Sequence, residues 1–191
     1  MFINKKTEAG IGQEEINKIT FVNDNNYSVS FFNFGGYIHS INIPYDNDPS
    51  KSEDVLLGYK NFEGYLKDQS YFNCIVGRVC GRISNAEFEL NSNKYLLFAN
   101  SGMHHIHGGK EGFNKKIWKL SNLEKNIDSL ECVLDYVSSH LEEGYPGQLT
   151  CKTTYTLTNK NEFIINFEAE SDNDTIINLT NHNYWNFHGH N

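Results

Sequence analysis

The sequence predicts an all-β protein, an antiparallel sandwich or barrel, and three observations support this fold class. Apolar residues recur mostly at every second position, which is the period of a half-buried strand. Turn-forming residues separate the resulting short segments, as they do in sandwiches and barrels. Only three prolines occur among 191 residues, and no Gly/Ser-rich linker interrupts the chain. We therefore expect one domain over residues 1–191.

The predicted strands are short, alternate in hydrophobicity and end at polar or glycine-containing turns. They comprise residues 27–34, 38–43, 87–90, 95–98, 153–157, 163–169 and 175–180. The polar turns at residues 91–94 and 159–161 predict two hairpins, and Gly35-Gly36 marks the turn between the first two strands. Helical turns are expected only within residues 54–65 and near Trp118.

Composition excludes several classes of function. The net charge of −8 argues against nucleic acid or an anionic membrane as a partner, because phosphate binding needs clustered Lys and Arg. No stretch approaches the roughly 20 apolar residues of a membrane span, and the N-terminus lacks the apolar run of a signal peptide. The four cysteines form no CxxC pair, so we expect reduced thiols and a cytoplasmic protein.

The segment 76–83 places Arg78 and Arg82 in an otherwise apolar stretch, each directly after a glycine. A guanidinium can donate paired hydrogen bonds to vicinal hydroxyls or to a carboxylate. The alternative is a buried Arg–carboxylate pair that holds the sheet together. The pattern alone favours the buried pair.

Three histidines, His104, His105 and His107, precede the turn Gly108-Gly109. In a strand, His105 and His107 would point to one face and His104 to the other, and no Cys or acidic residue lies at a zinc-like spacing. We therefore expect no metal. A single histidine reaching into a cleft from the glycine turn is the preferred interpretation, and His107 is best placed for it.

Two later segments also combine polar and turn-forming residues. The segment 142–147 (Glu-Glu-Gly-Tyr-Pro-Gly) is typical of a surface turn. The segment 179–187 ends a strand at His182, which asparagines flank and two aromatic rings follow. An imidazole, with a free pKa of about 6.5, can transfer a proton near neutrality. Asn181 can fix its orientation and Tyr184 can pack on a sugar, although a hydrogen-bonded core histidine is an equal alternative.

Taken together and in this order, the four segments resemble the aldose 1-epimerase (galactose mutarotase) family. The resemblance extends from about residue 34 to the last residue, and it includes the glycines after His107 and the Trp118 that follows them. It implies the galactose mutarotase-like supersandwich, a large antiparallel β-sandwich. It also implies an isomerase that interconverts the α and β anomers of aldoses such as glucose and galactose, without a cofactor.

The resemblance implies roles for individual residues. His182 matches the general acid that protonates the sugar ring oxygen, and His107 matches a second histidine that stabilises charge at that oxygen. Arg82 matches the arginine that holds sugar hydroxyls. Gly81, Asn181 and Tyr184 are further expected substrate contacts. Gly81 departs from the family pattern, which usually has Asn there, so one substrate amide is missing or replaced.

Family members are much longer, and their general base, a glutamate, lies beyond the point that corresponds to Asn191. We therefore expect an N-terminal portion that is catalytically deficient by itself and exposes unpaired strand edges. The alternative function is a non-catalytic carbohydrate-binding protein on the same sandwich. In both cases the expected ligand is a small aldose.

Overall fold

Fifteen β-strands and one short α-helix form the fold of residues 1–190, the part of the chain that the computed structural model describes. The strands in chain order are β1 Phe2–Ile11, β2 Glu14–Val22, β3 Ser28–Phe32, β4 Ile38–Tyr45, β5 Asp48–Asp54, β6 Ile75–Val76, β7 Arg82–Ile83, β8 Glu87–Leu90, β9 Asn93–Leu96, β10 His105–Ile106, β11 Lys119–Lys125, β12 Ser129–Ser138, β13 Leu149–Thr158, β14 Phe163–Ser171 and β15 Thr180–Asn181. Helix α1 is Phe62–Leu66.

Two antiparallel meanders dominate the fold. Strands β1 to β5 pair in sequence order as one sheet, and strands β11 to β14 pair in sequence order as a second. Sequential antiparallel neighbours need only short turns, which the polar residues between the strands provide. The prediction of an all-β antiparallel fold is confirmed.

The two sheets face each other across one hydrophobic core. Phe21 and Phe31 project from the first sheet, and Leu134 and Tyr155 project from the second. The rings of Phe31 and Tyr155 meet with their centroids 4.7 Å apart and nearly perpendicular, which is a favourable arrangement for aromatic pairs. This contact between the inner faces makes the architecture a β-sandwich.

The outer face of the first sheet is also covered. Phe32 points away from the main core and packs against Phe62 and Tyr65 of α1. Each of these three side chains is at most 3% exposed. Strand β3 is therefore buried on both faces, and helix α1 lies against the outer face of the sheet as part of a second layer.

Two short strand pairings hold the arginine and histidine segments identified in the sequence. Strand β6 pairs with β15, and β7 pairs with β10, each through a ladder of two residues. Residues 75 and 181, and residues 83 and 105, are thereby brought together although they are distant along the chain. These two ladders position the histidine segments.

Most predicted strands are confirmed, with different ends. The two hairpins are β8–β9, whose turn is only Asn91-Ser92, and β13–β14, whose strands are longer than predicted. The five-residue helix α1 lies at the end of the predicted 54–65 stretch. A 3₁₀ turn, Phe113–Lys115, precedes Trp118. The expectation of helical turns only in these two places is wrong, because 3₁₀ turns also occur at Ser84–Ala86 and Glu142–Gly144.

The predicted strand 175–180 is wrong for most of its length. Only Thr180 belongs to a strand, and Asn178 forms an isolated parallel bridge with Val79. A strand requires a continuous ladder of backbone partners. The segment has such a partner only at β6, so its first residues stay irregular despite their β-branched side chains.

Candidate active site

His182 follows β15, and two backbone hydrogen bonds hold its main chain in place. Its N–H donates to the carbonyl of Cys74 at 2.9 Å, and its carbonyl accepts from the N–H of Asn73 at 3.0 Å. The residue as a whole is half-buried, so part of it remains accessible to solvent. The backbone position of His182 is therefore fixed by hydrogen bonds, while part of the residue is accessible to a ligand.

His107 lies in the turn after β10, with φ at +51°, and is bound to Gly81 twice. The His107 N–H donates to the Gly81 carbonyl at 3.1 Å, and the Gly81 N–H donates to His107 Nδ1 at 3.2 Å. Because Nδ1 accepts a hydrogen bond, the proton of the neutral ring is assigned to Nε2. The free edge of His107 is thus a hydrogen-bond donor.

The two glycines after His107 are required by close approach of the backbone. A Cβ added to Gly108 would overlap the Gly77 carbonyl, and one added to Gly109 would overlap the Glu143 carboxylate. Both residues also have positive φ, a conformation that side chains disfavour. The turn can therefore bring His107 to its place only with glycine at both positions.

The two imidazoles meet. Their ring centroids are 5.1 Å apart and their planes nearly perpendicular, at 87°. Tyr71 packs edge-on against His107 at 4.7 Å and lies tilted over His182 at 6.2 Å. The ring of Tyr184 stacks on the other side of His182 at 5.1 Å. The structure thus brings together two predicted site residues that are 75 positions apart.

Burial, and after it the neighbouring charges, favour the neutral form of His107. Burial lowers the pKa of His107, and the neighbouring His182 and Arg82 lower it further. These are the charged groups of residues 1–190 that act on this ring, and each is cationic when protonated. A neutral imidazole donating from Nε2 is therefore its dominant state near neutrality.

The two arginines of the 76–83 segment have different environments. Arg82 in β7 is exposed, and its positive charge contributes to lowering the pKa of His107. Arg78 is 2% exposed and donates to the carbonyls of Ser138, Ser139 and Pro146 at 2.8–3.0 Å. The expected buried Arg–carboxylate pair is thus wrong in its partners, because carbonyl oxygens surround this guanidinium.

The segment 142–147 is a buried junction and not the expected surface turn. Tyr145 is fully buried, and its hydroxyl donates to Nε2 of His105 at 2.6 Å. Glu143 accepts from the N–H groups of Lys110 and Glu111, both at 2.9 Å. Its polar side chains therefore satisfy the backbone of the loop that follows His107.

Glu142 lies beside the Arg78 cluster and supplies its negative charge. It accepts from Tyr136 and Ser138 and forms an ion pair with Lys116 at 2.8 Å. Burial alone would raise the pKa of Glu142, but these hydrogen bonds outweigh burial and lower it. The Glu142 carboxylate therefore stays ionised. It is linked to Arg78 through the Ser138 hydroxyl, which accepts from Arg78 Nε and donates to Glu142.

The expected substrate contacts Asn181 and Tyr184 also hold the site together. The Asn181 amide donates to the carbonyl of Asn73 at 3.2 Å, and the Tyr184 hydroxyl donates to that of Ser70 at 2.9 Å. The ring of Tyr184 remains beside His182. Their contacts with a sugar stay predictions, as does that of Gly81, at which an added Cβ would meet open space.

Sequence reasoning missed Asn73, which joins the two halves of the site. It is fully buried, its amide donates to Leu57 O at 2.7 Å, and its side-chain oxygen accepts from Tyr184 N at 2.8 Å. Its φ of +62° is tolerated by Asn better than by most residues. No pattern in the sequence marks such a residue, since its partners lie in two other segments.

Replacing Asn73 with alanine is expected to lower the free energy of unfolding by about 2–4 kcal/mol. Two partly buried backbone groups would lose their partners, and alanine is disfavoured at positive φ. Urea denaturation measures the loss. Asn73→Gly is the companion variant, because glycine accepts this backbone conformation and isolates the lost hydrogen bonds. A stability within 0.5 kcal/mol of the wild type for Asn73→Ala would contradict this role.

The three histidines of the 104–107 segment do not share a site. His104 accepts from the Asn85 N–H, and His105 is fully buried between Phe98 O and the Tyr145 hydroxyl. The expected common face of His105 and His107 is wrong, because the chain already turns at His107. Within residues 1–190, no three His, Cys, Asp or Glu side chains converge as metal ligands.

Comparison with known proteins identifies the family of the chain. Residues 17–191 match the family described as Aldose 1-epimerase. The chain belongs to the aldose 1-epimerase family. It is 40% identical over 139 residues to a galactose mutarotase from Bos taurus and 39% identical over 168 residues to an aldose 1-epimerase from Haemophilus influenzae. These alignments cover 73% and 88% of this chain.

A solved structure of another member of the aldose 1-epimerase family has the same fold. The galactose 1-epimerase from Lactobacillus acidophilus NCFM superposes on 96% of this chain with a TM-score of 0.87 and 26% identity. The match covers 53% of that structure, and the two relatives above are covered over 39% and 47% of their lengths. The chain thus spans about half the length of the epimerases it matches. In residues 1–190, no helix has the length and hydrophobicity needed to cross a bilayer.

Proposed function

We propose that this protein is an aldose 1-epimerase, which interconverts the α and β anomers of hexoses such as glucose and galactose. The observation that carries the proposal is the perpendicular contact of His107 and His182, with the His107 proton placed on Nε2 by Gly81. Two imidazoles in contact at nearly perpendicular planes can donate to a single oxygen atom. Membership of the aldose 1-epimerase family suggests the reaction, a ring opening in which the ring oxygen of the sugar accepts a proton.

In the proposed mechanism, His182 donates a proton to the ring oxygen of the bound sugar while the C1 hydroxyl loses its proton to a base. The C1–O5 bond breaks, and C1 becomes the carbonyl carbon of the open aldehyde. Rotation about C1–C2 and closure on the other face, with the proton transfers reversed, give the second anomer. Nε2–H of His107 stabilises the charge that changes at O5, as preorganised donors do.

The base is proposed to come from outside the described residues. Within residues 1–190, neither His107 nor His182 forms an ion pair with a carboxylate, and the nearby Glu143 is held by two backbone N–H groups. We assign to this chain the acid and the oxygen-stabilising donor. The exposed Arg82 guanidinium is proposed to hold sugar hydroxyls, with Asn181, Tyr184 and the backbone of Gly81 as further contacts.

A small aldose is the only partner that the proposal requires. The net charge of −8 disfavours nucleic acid and anionic membrane surfaces as partners. The four cysteines are unpaired, and unpaired thiols suit a reducing compartment. We therefore propose a cytoplasmic location for the enzyme.

Polarimetry tests the function. Freshly dissolved α-D-glucose or α-D-galactose is followed with the 191-residue chain and with the full product of its gene. We expect the full product to accelerate the approach to the equilibrium rotation, and the 191-residue chain to do so much less. A full product that binds the sugar but leaves the buffer rate unchanged would support a non-catalytic carbohydrate-binding protein instead.

The pH dependence of kcat follows from the state of His107. Protonation would give Nδ1 a hydrogen that faces the Gly81 N–H, and a second positive charge beside Arg82. Activity is therefore expected to fall at acid pH, with an apparent pKa below the ordinary histidine value of 6.5. Arg82→Ala removes one cation and is expected to move this acid limb to higher pH. An acid limb that moves to lower pH in Arg82→Ala would contradict the assignment.

A further inference from the structure

Tyr71 is the residue of the site to which neither the sequence patterns nor the comparisons assign a role. Its ring contacts both imidazoles, at 4.7 Å from His107 and 6.2 Å from His182. The two histidines belong to separate segments, one after β10 and one after β15. Tyr71 belongs to a third segment, before β6, and its single ring contacts both.

The backbone of Tyr71 is fixed before any substrate binds. The Asp68 carboxylate accepts from the N–H of Ser70 at 2.9 Å and from that of Phe72 at 3.1 Å, one residue on each side of Tyr71. Asp68 is itself 2% exposed and accepts from the hydroxyls of Tyr37 and Tyr59, both at 2.9 Å. A buried carboxylate with four donors therefore clamps this loop.

This clamp holds Tyr71 in a conformation that it would not adopt freely. Its φ is +59°, in the left-handed region that costs a non-glycine residue roughly 1–2 kcal/mol. Such outliers persist where the surroundings over-determine them, and they concentrate at functional sites. In this conformation the Tyr71 ring contacts both imidazoles, so the loop conformation determines where the side chain lies.

Tyr71 also lines an open pocket beside the histidine segment. This pocket, open to solvent and about 620 Å³ in volume, is lined by Tyr71, Asn100, Ile106 and Gly109 together with Asp68 and several lysines. Ile106 and Gly109 are close neighbours of His107 in the chain. Because Tyr71 lines this pocket and packs edge-on against His107, we expect removal of its ring to let water reach that side of His107.

We propose that Tyr71 is a positioning residue that holds His107 and His182 at their mutual angle and shields His107 from water. The proposal rests on the proposed epimerase function for its catalytic consequence, but its structural part does not depend on activity. Tyr71 is not assigned a proton-transfer step. Its effect on the sugar is exerted through the two imidazoles.

The test compares Tyr71→Ala with Tyr71→Phe, which keeps the ring and removes only the hydroxyl. Tyr95→Ala is the matched control, because Tyr95 is also half-buried and packs on an aromatic ring, Phe88, in the β8–β9 hairpin. The first readout is the NMR pH titration of the His107 and His182 ring nitrogens. It needs only the folded chain.

Tyr71→Ala is expected to shift the ring resonances of both histidines and to raise the pKa of His107 towards 6.5, because burial is the main cause that lowers it. His182 and Arg82, the two charged groups that lower the pKa of His107, are unchanged in every variant. Tyr71→Phe and Tyr95→Ala should titrate as the wild type does. A Tyr71→Ala titration equal to that of Tyr95→Ala would overturn the proposal.

The second readout is the split between kcat and KM in the active full product. Misplaced catalytic groups lower kcat by up to about 100-fold, so we expect a 10- to 100-fold loss in Tyr71→Ala, with KM changed less than threefold. If Tyr71→Ala does not fold, Tyr71→Leu keeps apolar volume without the ring and replaces it. A Tyr71→Phe variant as impaired as Tyr71→Ala would show that the hydroxyl matters and overturn the proposal. A wild type without activity would refute the function and leave the titration to decide.

Discussion

Replacing His182 with alanine is expected to lower kcat/KM for hexose mutarotation by about 10²- to 10⁴-fold, the usual contribution of a general acid. The imidazole projects from a backbone that is bound to Cys74 and Asn73, so its removal leaves the surrounding hydrogen bonds in place. The fold should therefore survive while proton delivery to the ring oxygen is lost. Polarimetry on the full gene product measures the change.

His188→Ala is the matched control for this variant. His188 is exposed and lies six residues further along the chain, outside the contact with His107. It should retain wild-type rates. If His182→Ala kept more than a third of the wild-type kcat/KM, the assignment of the acid would be wrong, whatever the sugar. A loss that His107→Ala reproduces only in part would fit its role as a donor to the same oxygen.

Replacing Arg78 with alanine is expected to cost about 3–5 kcal/mol of unfolding free energy, as the removal of a buried, fully bonded charge does. The guanidinium donates to three carbonyls and to the Ser138 hydroxyl at 2.8–3.0 Å. Those acceptors would remain buried, and Glu142 would lose the positive charge beside it. Small domains are stable by about 5–15 kcal/mol in total, so this loss is large.

Arg82→Ala is a control of the same residue type four positions away. Its side chain is exposed, and exposed substitutions of this kind change stability by about 0.5 kcal/mol or less. Urea denaturation followed by tryptophan fluorescence compares the two, since Trp118 is fully buried. Arg78→Lys should lie between them, because an ammonium keeps the charge but cannot reach all four acceptors. Equal stabilities of Arg78→Ala and Arg82→Ala would contradict the structural role of Arg78.

The strands that could be predicted are those whose sequence alternates clearly. Residues 153–157 and 163–169 have period-two patterns, and β13 and β14 lie there. Strand β1 has no comparable signal, because most of its side chains are exposed on both faces and its position depends on β2. Residues 175–180 show the reverse case, in which apolar β-branched residues lack a neighbouring strand.

The two histidines of the candidate site could be predicted from the sequence. The residues that hold these histidines in place could not. His107 and His182 stand out because titratable side chains beside glycine and asparagine are informative in one sequence alone. The partners of Arg78 lie 60 or more residues away and are mostly carbonyl oxygens, which every residue possesses. Asn73 and Tyr71 are likewise defined by partners from other segments. Long-range backbone acceptors leave no trace in a local pattern.

The two-residue ladder between β6 and β15 has a consequence for the order in which the protein matures. The meander β1–β5 needs only neighbouring segments and can form early, as local pairings do. Residue 181 must find residue 75 before His182 can reach His107. During synthesis, the two imidazoles therefore cannot meet until residue 182 has left the ribosome, when nearly all of this chain has already been made.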